Sequence, residues 1–509
     1  MSAHWTLPGS LLLGCALSLA CQAGPQPAAL PTASVDEDSN TLTVTLPGGA
    51  GSATSASHSL GAQVLDGSCV GRVEGQDYVF VFADGGYLAQ WRIDPADASV
   101  SLVRDLPGTL EVEACVVSGH SLYLLSEDSG LWRHGAHPES DPQRQLVEPL
   151  QPHGRIPPGT EDLALVDGVL VAGQVRVQLQ AEPPSATRVL PLVAPSGETE
   201  PVRHRGDAAD DAAIWRNARD PARSLILAAD KRFGLRVYDL SGSEVDNLPV
   251  GRLNNVDLRE LQGHDRLAAI AAGSNRTHRS ISLFAIGHDG SLRHLAQDEI
   301  ATGLDDPYGL CMYRDARGLF VFVNDKDGRF QQWRLALAGE SVDARLVREF
   351  SSGDQPEGCA GDDHHGRLFF GVEDHGLKAL QADTDGEPEI SMLAAADERT
   401  LYADVEGMDL YRAGDGGYLV VSSQGDNSYA VFERLPPHRY RGSFRIGANA
   451  ALGIDGASET DGLSVHAGHF GDAYPAGILV VQDGHNVAPP EPQNFKLVDW
   501  RDVARALGL

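Results

Sequence analysis

The chain has 509 residues, and its 71 Asp and Glu against 40 Lys and Arg give a formal charge of −31. An apolar content of 42 % and 56 glycines without a fixed period exclude a collagen, a disordered acidic tail and a coiled coil. No apolar run approaches the roughly 20 residues of a membrane helix, and this charge repels a polyanion, which excludes nucleic acid as a partner.

In chain order, the first predicted element is a short apolar stretch over residues 11–20, followed by small residues and a Pro/Ala-rich segment. It is too short to span a bilayer and fits a secretory signal over residues 1–23. Ser18-Leu19-Ala20-Cys21 is similar to a bacterial lipoprotein cleavage box, with an imperfect residue three places before the cysteine. Cys21 is therefore the candidate lipid anchor, and ordinary signal cleavage is the alternative. The chain is expected to be exported, as a periplasmic, outer-membrane lipoprotein or secreted protein. An oxidising compartment permits disulfides among Cys69, Cys115, Cys311 and Cys359. The spacing within each successive pair is close to one β-propeller blade; four buried thiols are the alternative.

From about residue 60 onward, strand-like runs such as Tyr78-Val79-Phe80-Val81-Phe82 and Leu319-Phe320-Val321-Phe322-Val323 alternate with Gly/Asp/Asn turns. Helical periodicity is almost absent before residues 500–507. Many short, evenly spaced strands predict a sandwich, barrel or propeller, and a long internal repeat favours the propeller. Gly67-Ser-Cys69 leading to Gln90-Trp91-Arg92-Ile93 matches Gly309-Leu-Cys311 leading to Gln332-Trp333-Arg334-Leu335. Glu113-Ala-Cys115 likewise matches Glu357-Gly-Cys359. The first half reads as a partial copy of the second, and the copies differ where it matters: Tyr308 faces Asp66, while Glu113 and Glu127 keep the acidic positions of Glu357 and Glu373. The expected division is a partial propeller-like domain over 24–190 and a complete one over 191–509, with a Pro-containing boundary near 183–195.

In the second half, acidic groups recur at turns: Asp207, Asp210, Asp211, Glu357, Asp362, Asp363, Glu373, Asp374, Asp404, Glu406, Asp455 and Asp461. Basic groups lie among them at Lys231-Arg232, Arg276 and Lys326. Carboxylates gathered at a propeller's channel repel one another unless divalent cations neutralise them. Oxygen-only ligands point to Ca²⁺, a hard cation. The interleaved Lys, Arg and Tyr would hold a phosphate beside it. His364, His365, His466 and His469 have no partners at a metal-binding spacing and read as surface positions. No nucleophile elbow or phosphate-binding P-loop is present, so acyl transfer and nucleotide hydrolysis have no support.

Several segments, taken in order, are similar to one family. They are Asp207-Ala-Ala-Asp-Asp-Ala-Ala-Ile-Trp215, Gly251-Arg-Leu-Asn-Asn-Val-Asp257, Ser274-Asn-Arg276, Asp306-Pro-Tyr-Gly309, Pro356-Glu-Gly358, Asp404-Val-Glu-Gly407, Ser422-Ser-Gln-Gly-Asp-Asn-Ser-Tyr429 and Gln482-Asp-Gly-His-Asn486. Together they resemble the β-propeller phytases over about residues 198–506, and the N-terminal copy resembles the incomplete extra domain of dual-domain members. The resemblance implies an all-β, six-bladed propeller that uses several Ca²⁺ ions to release phosphate from phytate. Metal ligation is implied for Asp210, Glu357, Asp404, Glu406 and Asp455, with Glu198 and Asp211 around them. Lys231, Arg276 and Tyr308 match groups that hold the phosphate being cleaved. Lys326 and Arg232 match the substrate cleft, with Glu373 an acid beside it. Asp461 and Asp483 fall in segments resembling structural calcium sites. Ala212 stands where the family usually has proline, and Arg232 where it usually has lysine.

The expected reaction is attack on a phosphate monoester by a water bridging the calcium ions. Lys231, Arg276 and Tyr308 would stabilise the phosphate oxygens, with Glu357 and Glu406 in the reacting group and no covalent phosphoenzyme. The expected substrate is phytate or its calcium complex, taken by a monomer. Two rivals remain at this level: a non-enzymatic Ca²⁺-binding propeller, which needs no cationic neighbours, and a metal-dependent hydrolase of another substrate such as a lactone, which needs an apolar pocket.

Overall fold

A computed structural model describes residues 29–509 apart from 37–38, 49–52, 61–63, 74, 141–142, 167, 180–189, 384–387, 488 and 490. The expected signal segment, Cys21 and part of the expected domain boundary lie outside the described residues.

The alternating runs of the second half form six antiparallel sheets whose first strands are Ala209–Trp215, Leu253–Glu260, Pro307–Asp315, Pro356–Asp362, Val405–Ala413 and Leu463–His466. Each first strand contacts the next, and Leu463–His466 returns against Ala209–Trp215, closing a ring. This is an all-β, six-bladed propeller, and its sheets are called blades I to VI in chain order. Blade VI is completed by Gly197–Glu198, which pairs antiparallel with Asn494–Asp499 and fastens the two ends of the domain together. A parallel strand, Leu192–Val193, extends blade V beside Tyr440–Ile446.

Strand Gly318–Asp325 of blade III shows why the runs are continuously apolar. Leu319, Val321 and Val323 pack with Leu310 and Met312 into the core shared with blade II. Their alternate neighbours Phe320 and Phe322 pack toward blade IV with Cys359, Leu368 and Phe370. A strand covered on both faces has no polar alternation to show. The C-terminal helix, Trp500–Leu507, is capped by Asp499, whose side chain accepts from the Arg501 N–H, and Trp500 stacks on Tyr411.

Before these blades stand four smaller sheets. They begin at Thr32–Asp36, Gly67–Val73, Val112–Ser118 and Leu163–Val166, and their first strands contact one another in that order. The repeat seen in the sequence is repeated in the packing: Gln90 and Gln332 are both buried, and each donates across to the following blade, to the Ala136 and Ala382 carbonyls. Disulfides Cys69–Cys115 and Cys311–Cys359 join first strands of adjacent sheets in the two halves. Of the two readings left open by the sequence, bridges rather than thiols are found.

Candidate active site

Five of the six first strands begin with a register shift: between Ala209 and Ala212, Leu253 and Val256, Pro307 and Leu310, Pro356 and Cys359, and Val405 and Met408. The extra residue of such a bulge re-aims a side chain. The residues so placed are Asp210, Asn254, Tyr308, Glu357 and Glu406, with Asp461 at the corresponding step before blade VI. The residue after each is Asp211, Asn255, Gly309, Gly358, Gly407 and Gly462. The glycines are required by close approach: a Cβ on Gly309 would lie 1.8 Å from the Glu357 carbonyl oxygen, and one on Gly462 would lie 2.4 Å from the Asp211 Cα. A second ring follows the second strand of each blade, where Lys231, Arg276, Lys326, Glu373, Gln424 and Gly484 stand. Blades I to III thus supply cations at this step, and blades IV and V supply a carboxyl and an amide.

The two rings meet at one end of the channel. Lys231 Nζ lies 2.9 Å from Asp207 Oδ1, 2.9 Å from Asp210 Oδ2 and 3.1 Å from Asp461 Oδ2. Burial alone would discharge this ammonium, but Asp210, Asp461 and Glu357 outweigh it and keep it charged. Gln424 donates to Asp461 Oδ1 at 2.6 Å. Asn254 donates to Glu357 Oε1 at 2.8 Å and accepts from Arg276 Nη1 at 3.1 Å. Arg276 is also clamped by Asp306 through two hydrogen bonds of 2.7 and 2.6 Å. The Tyr308 ring lies under Lys326 Nζ at 4.0 Å and beside the Arg276 guanidinium at 5.5 Å. Burial, then Glu357 and Glu406, push the Tyr308 phenol far above its ordinary range, so it stays a donor. Arg232 is exposed beside Lys231 and donates to the Asp207 carbonyl.

Glu357, Glu373 and Glu406 bring ligand oxygens within 4.8 Å of one another. Two full charges at that separation repel by about 3 kcal/mol at an effective dielectric constant of about 20. Burial, and then the neighbouring Glu357, raise Glu406 well above the carboxylate range. Burial raises Glu373 to about 7 despite a hydrogen bond from Gln355, and burial followed by Asp374 and Glu357 raises the half-exposed Asp404. Asp210 is raised by burial, against the pull of Lys231. Glu406 Oε2 and Asp210 Oδ1 are buried without a hydrogen-bond partner. A cluster of carboxyl oxygens, partly unpaired and with no His or Cys ligand, has the donor chemistry of a hard divalent cation site.

Not every expected residue joins this group. Asp211 Oδ2 instead accepts from the Val256 N–H at 3.1 Å and Asn255 Nδ2 at 3.2 Å, tying blade I to blade II. Asp455, Asp483 and Glu198 gather around a different cation, Lys496 Nζ, at 2.5, 3.1 and 2.7 Å. Asp455 is thus placed with Glu198 and Asp483, and Asp461, which like Asp483 falls in a segment resembling a structural calcium site, sits in the central group with Lys231. Asp362 and Asp363 lie toward the other end of the first strands. Arg434 and His365 hold Asp362 down at about 2 against the opposing effect of burial, and Asp363 pairs with Arg259 at 3.0 Å. Of the histidines expected at the surface, His364 and His469 are exposed, while His365, held against Asp362 at 3.0 Å, and His466, edge-on against Phe470, are partly buried. Sequence reasoning missed Asn254, Asp306, Gln424 and Lys496. Superposing the six repeats on the bulge, rather than on hydrophobic runs, would have exposed Asn254 and Gln424.

A model of the phytase family matches residues 159–509. The chain is 38 % identical over 323 residues to a 3-phytase of Bacillus subtilis (strain 168), a match covering 61 % of this chain and 84 % of that protein. Among solved structures, the computationally designed Ika8 protein is similar at 13 % identity and a TM-score of 0.30, over 83 % of this chain and 93 % of that one. A protein of unknown function from Desulfotomaculum acetoxidans DSM 771 is similar at 10 % identity and a TM-score of 0.33, over 82 % and 95 %. The bulge-borne carboxylates, the cations facing them and the match over residues 159–509 agree: the chain belongs to the phytase family, in its β-propeller form.

Proposed function

We propose that the central group binds Ca²⁺ and that the chain uses it to release inorganic phosphate from phytate, as a phosphoric monoester hydrolase of the 3-phytase type. The observation that carries this reading is the split rim: buried carboxyl oxygens without donors on one side, and Lys231, Arg276 and Lys326 around Tyr308 on the other. A non-enzymatic calcium propeller has no use for the second side. Residues that would hold the cations are Asp210, Glu357, Glu373, Asp404, Glu406 and Asp461. Bound there, Ca²⁺ would neutralise phosphate charge and make an attacking water more acidic.

The chain's own residues then divide the work. Arg276, held rigid by Asp306 and Asn254, presents its remaining guanidinium edge to phosphate oxygens. Lys231 contributes a buried positive charge next to the carboxylates. Tyr308 remains protonated and donates to an equatorial oxygen. Among the described residues Lys326 forms no ion pair with a carboxylate and is available to a second phosphate of the same substrate, with Arg232 exposed nearby. Such multipoint anchoring orients the reacting phosphate, and orientation is a large part of catalysis in phosphoryl transfer. We also place the chain in an oxidising compartment outside the cytoplasm, a reading supported by its two disulfides.

The test is phosphate release by the purified chain in calcium, followed by phosphorus NMR, with phytate, a simple phosphate monoester and a lactone as parallel substrates. Phytate is expected to be consumed and the lactone untouched. Lactone turnover without phosphate release would overturn the assignment.

A further inference from the structure

Two contacts run from the N-terminal sheets into the loops that carry Asp455 and Asp483. Val487, from the catalytic propeller, is buried in the N-terminal cluster of Val73, Tyr78, Phe80 and Leu124. Its backbone N–H donates to Asp455 Oδ2 at 2.5 Å. Glu139, in the loop after N-terminal strand Gly130–Gly135, is buried and accepts from Ser458 Oγ at 2.9 Å. Ser458 in turn donates its N–H to Asp483 Oδ1 at 3.2 Å, and its hydroxyl lies 3.1 Å from His485 Nδ1. Beside both contacts a cavity of about 470 Å³ separates the two domains, lined by Tyr78, Arg92 and Leu102 on one side and Arg445, Ile446 and Ala448 on the other. These two contacts therefore stand at the edge of a gap, against the two loops that hold the Lys496 carboxylates.

We propose that the N-terminal domain is a positioning element for the 455–458 and 483–487 loops, with Glu139 and the Val487 socket as the residues that transmit it. The proposal rests on the calcium reading of the chain and adds to its central group a second cation, held at the edge by Asp455 and Asp483. Asp455, Asp483 and Glu198 share one ammonium, Lys496, and Glu139 adds a fourth carboxyl to their surroundings. Four carboxyl groups thus face one ammonium, and Asn494 Oδ1 is buried without a hydrogen-bond partner. Asn494 touches the cluster directly, donating to Glu198 Oε2 at 3.0 Å. A cation bound at this edge would be favoured by loops already fixed through Glu139 and Val487. By reciprocity, the same cation would favour the docked N-terminal domain.

The test uses the full chain, stripped of metal and titrated with CaCl₂ by calorimetry, as wild type, Glu139→Ala, Glu139→Asp and Val487→Ser. Glu139→Ala and Val487→Ser are expected to weaken one class of calcium sites about tenfold or more, within the usual range of coupling, and leave the other class unchanged. Glu139→Asp should recover part of the loss. The half-saturating calcium concentration for hydrolysis should rise while kcat at saturating calcium stays at the wild-type value. In wild type, calcium should slow hydrogen exchange over residues 134–140, and in Glu139→Ala it should not. Superimposable calcium titrations of wild type and folded variants, or exchange at 134–140 indifferent to calcium in wild type, would overturn the proposal. Val487→Ser, which leaves Glu139 and its bond to Ser458 in place, decides the matter should Glu139→Ala fail to fold. The calorimetry reads no phytate chemistry, so intact coupling in a chain that leaves phytate untouched would sink the functional reading alone.

Discussion

Glu406 holds one oxygen out of water with no donor to meet it, next to Glu357 and within reach of Glu373. Left as anions without a cation, such groups cost several kcal/mol of lost solvation each. Glu406→Gln is therefore expected to leave the fold intact, because it removes a buried charge. Phosphate release should nevertheless fall by roughly 10²–10³-fold, the scale of losing one stabilising group. Wild-type turnover with this variant would place the chemistry elsewhere. Asn254 offers a sharper check, because its amide links Arg276 to Glu357 and touches both halves of the rim. Hydrogen bonds to charged groups contribute about 1.5–3 kcal/mol, so Asn254→Ala should lower kcat about tenfold or more. A change confined to KM would show that it only helps to bind. The sequence made Glu357 and Glu406 visible as acids at turns and Tyr308 through a segment that resembles the family, and each stands before a glycine whose missing Cβ admits the neighbouring blade. Asn254-Asn255 lacks that mark and looks like any polar turn. Lys496 was hidden inside the apolar strand Asn494–Asp499, and only closure of the ring brings Glu198 to it.

The blade is the unit that places these side chains, and the bulge at the start of its first strand is the device that aims them. N-terminal strand Gly67–Val73 pairs without any register shift. It therefore lacks the aiming step as well as the tyrosine that Asp66 replaces. Strand Val112–Ser118 keeps a shift between Val112 and Ala114, but Glu113 there is exposed where Glu357 is buried. The residue exchange between the two copies was legible in the sequence. The loss of the bulge was not, since pairing register is a property of two strands. Gly309→Ala would drive a Cβ into the Glu357 carbonyl and should destabilise the chain by about 1–3 kcal/mol, the usual cost of overpacking, while also reducing activity. Replacing both Cys311 and Cys359 by serine opens a link across 48 residues and should lower the unfolding free energy by about 4 kcal/mol in denaturant titrations. A loss under about 1 kcal/mol would mean that the unfolded chain is already compact enough to need no bridge.

Over the whole molecule, a charge of −31 and a channel end crowded with carboxyls make stability depend on pH and, with calcium bound as proposed, on calcium as well. Burial raises Asp461 from an ordinary 3.8 to about 7 despite Lys231, and it raises Glu373 from 4.5 to about 7. A carboxyl whose folded value lies above its unfolded one favours folding while protonated. Its contribution is complete below the unfolded value and is lost as pH climbs through about 7. The metal-free chain should accordingly lose stability at these groups as pH rises from about 5 to 7.5, whereas calcium, which binds the ionised form, removes that loss. The difference between thermal midpoints with and without calcium should widen across that interval, and a constant difference would contradict the assignment of these groups. All-β class, repeat and channel-end acids could be read from the chain, because each is a local pattern. The partition into a central group on Lys231 and an edge group on Lys496 could not, because contacts from both ends of the domain decide it. The most direct measurement is phosphate release from phytate by the full chain after exhaustive chelation with EGTA and again after Ca²⁺ is restored. Activity should vanish on chelation and return with calcium, and undiminished release in the chelated protein would contradict the account.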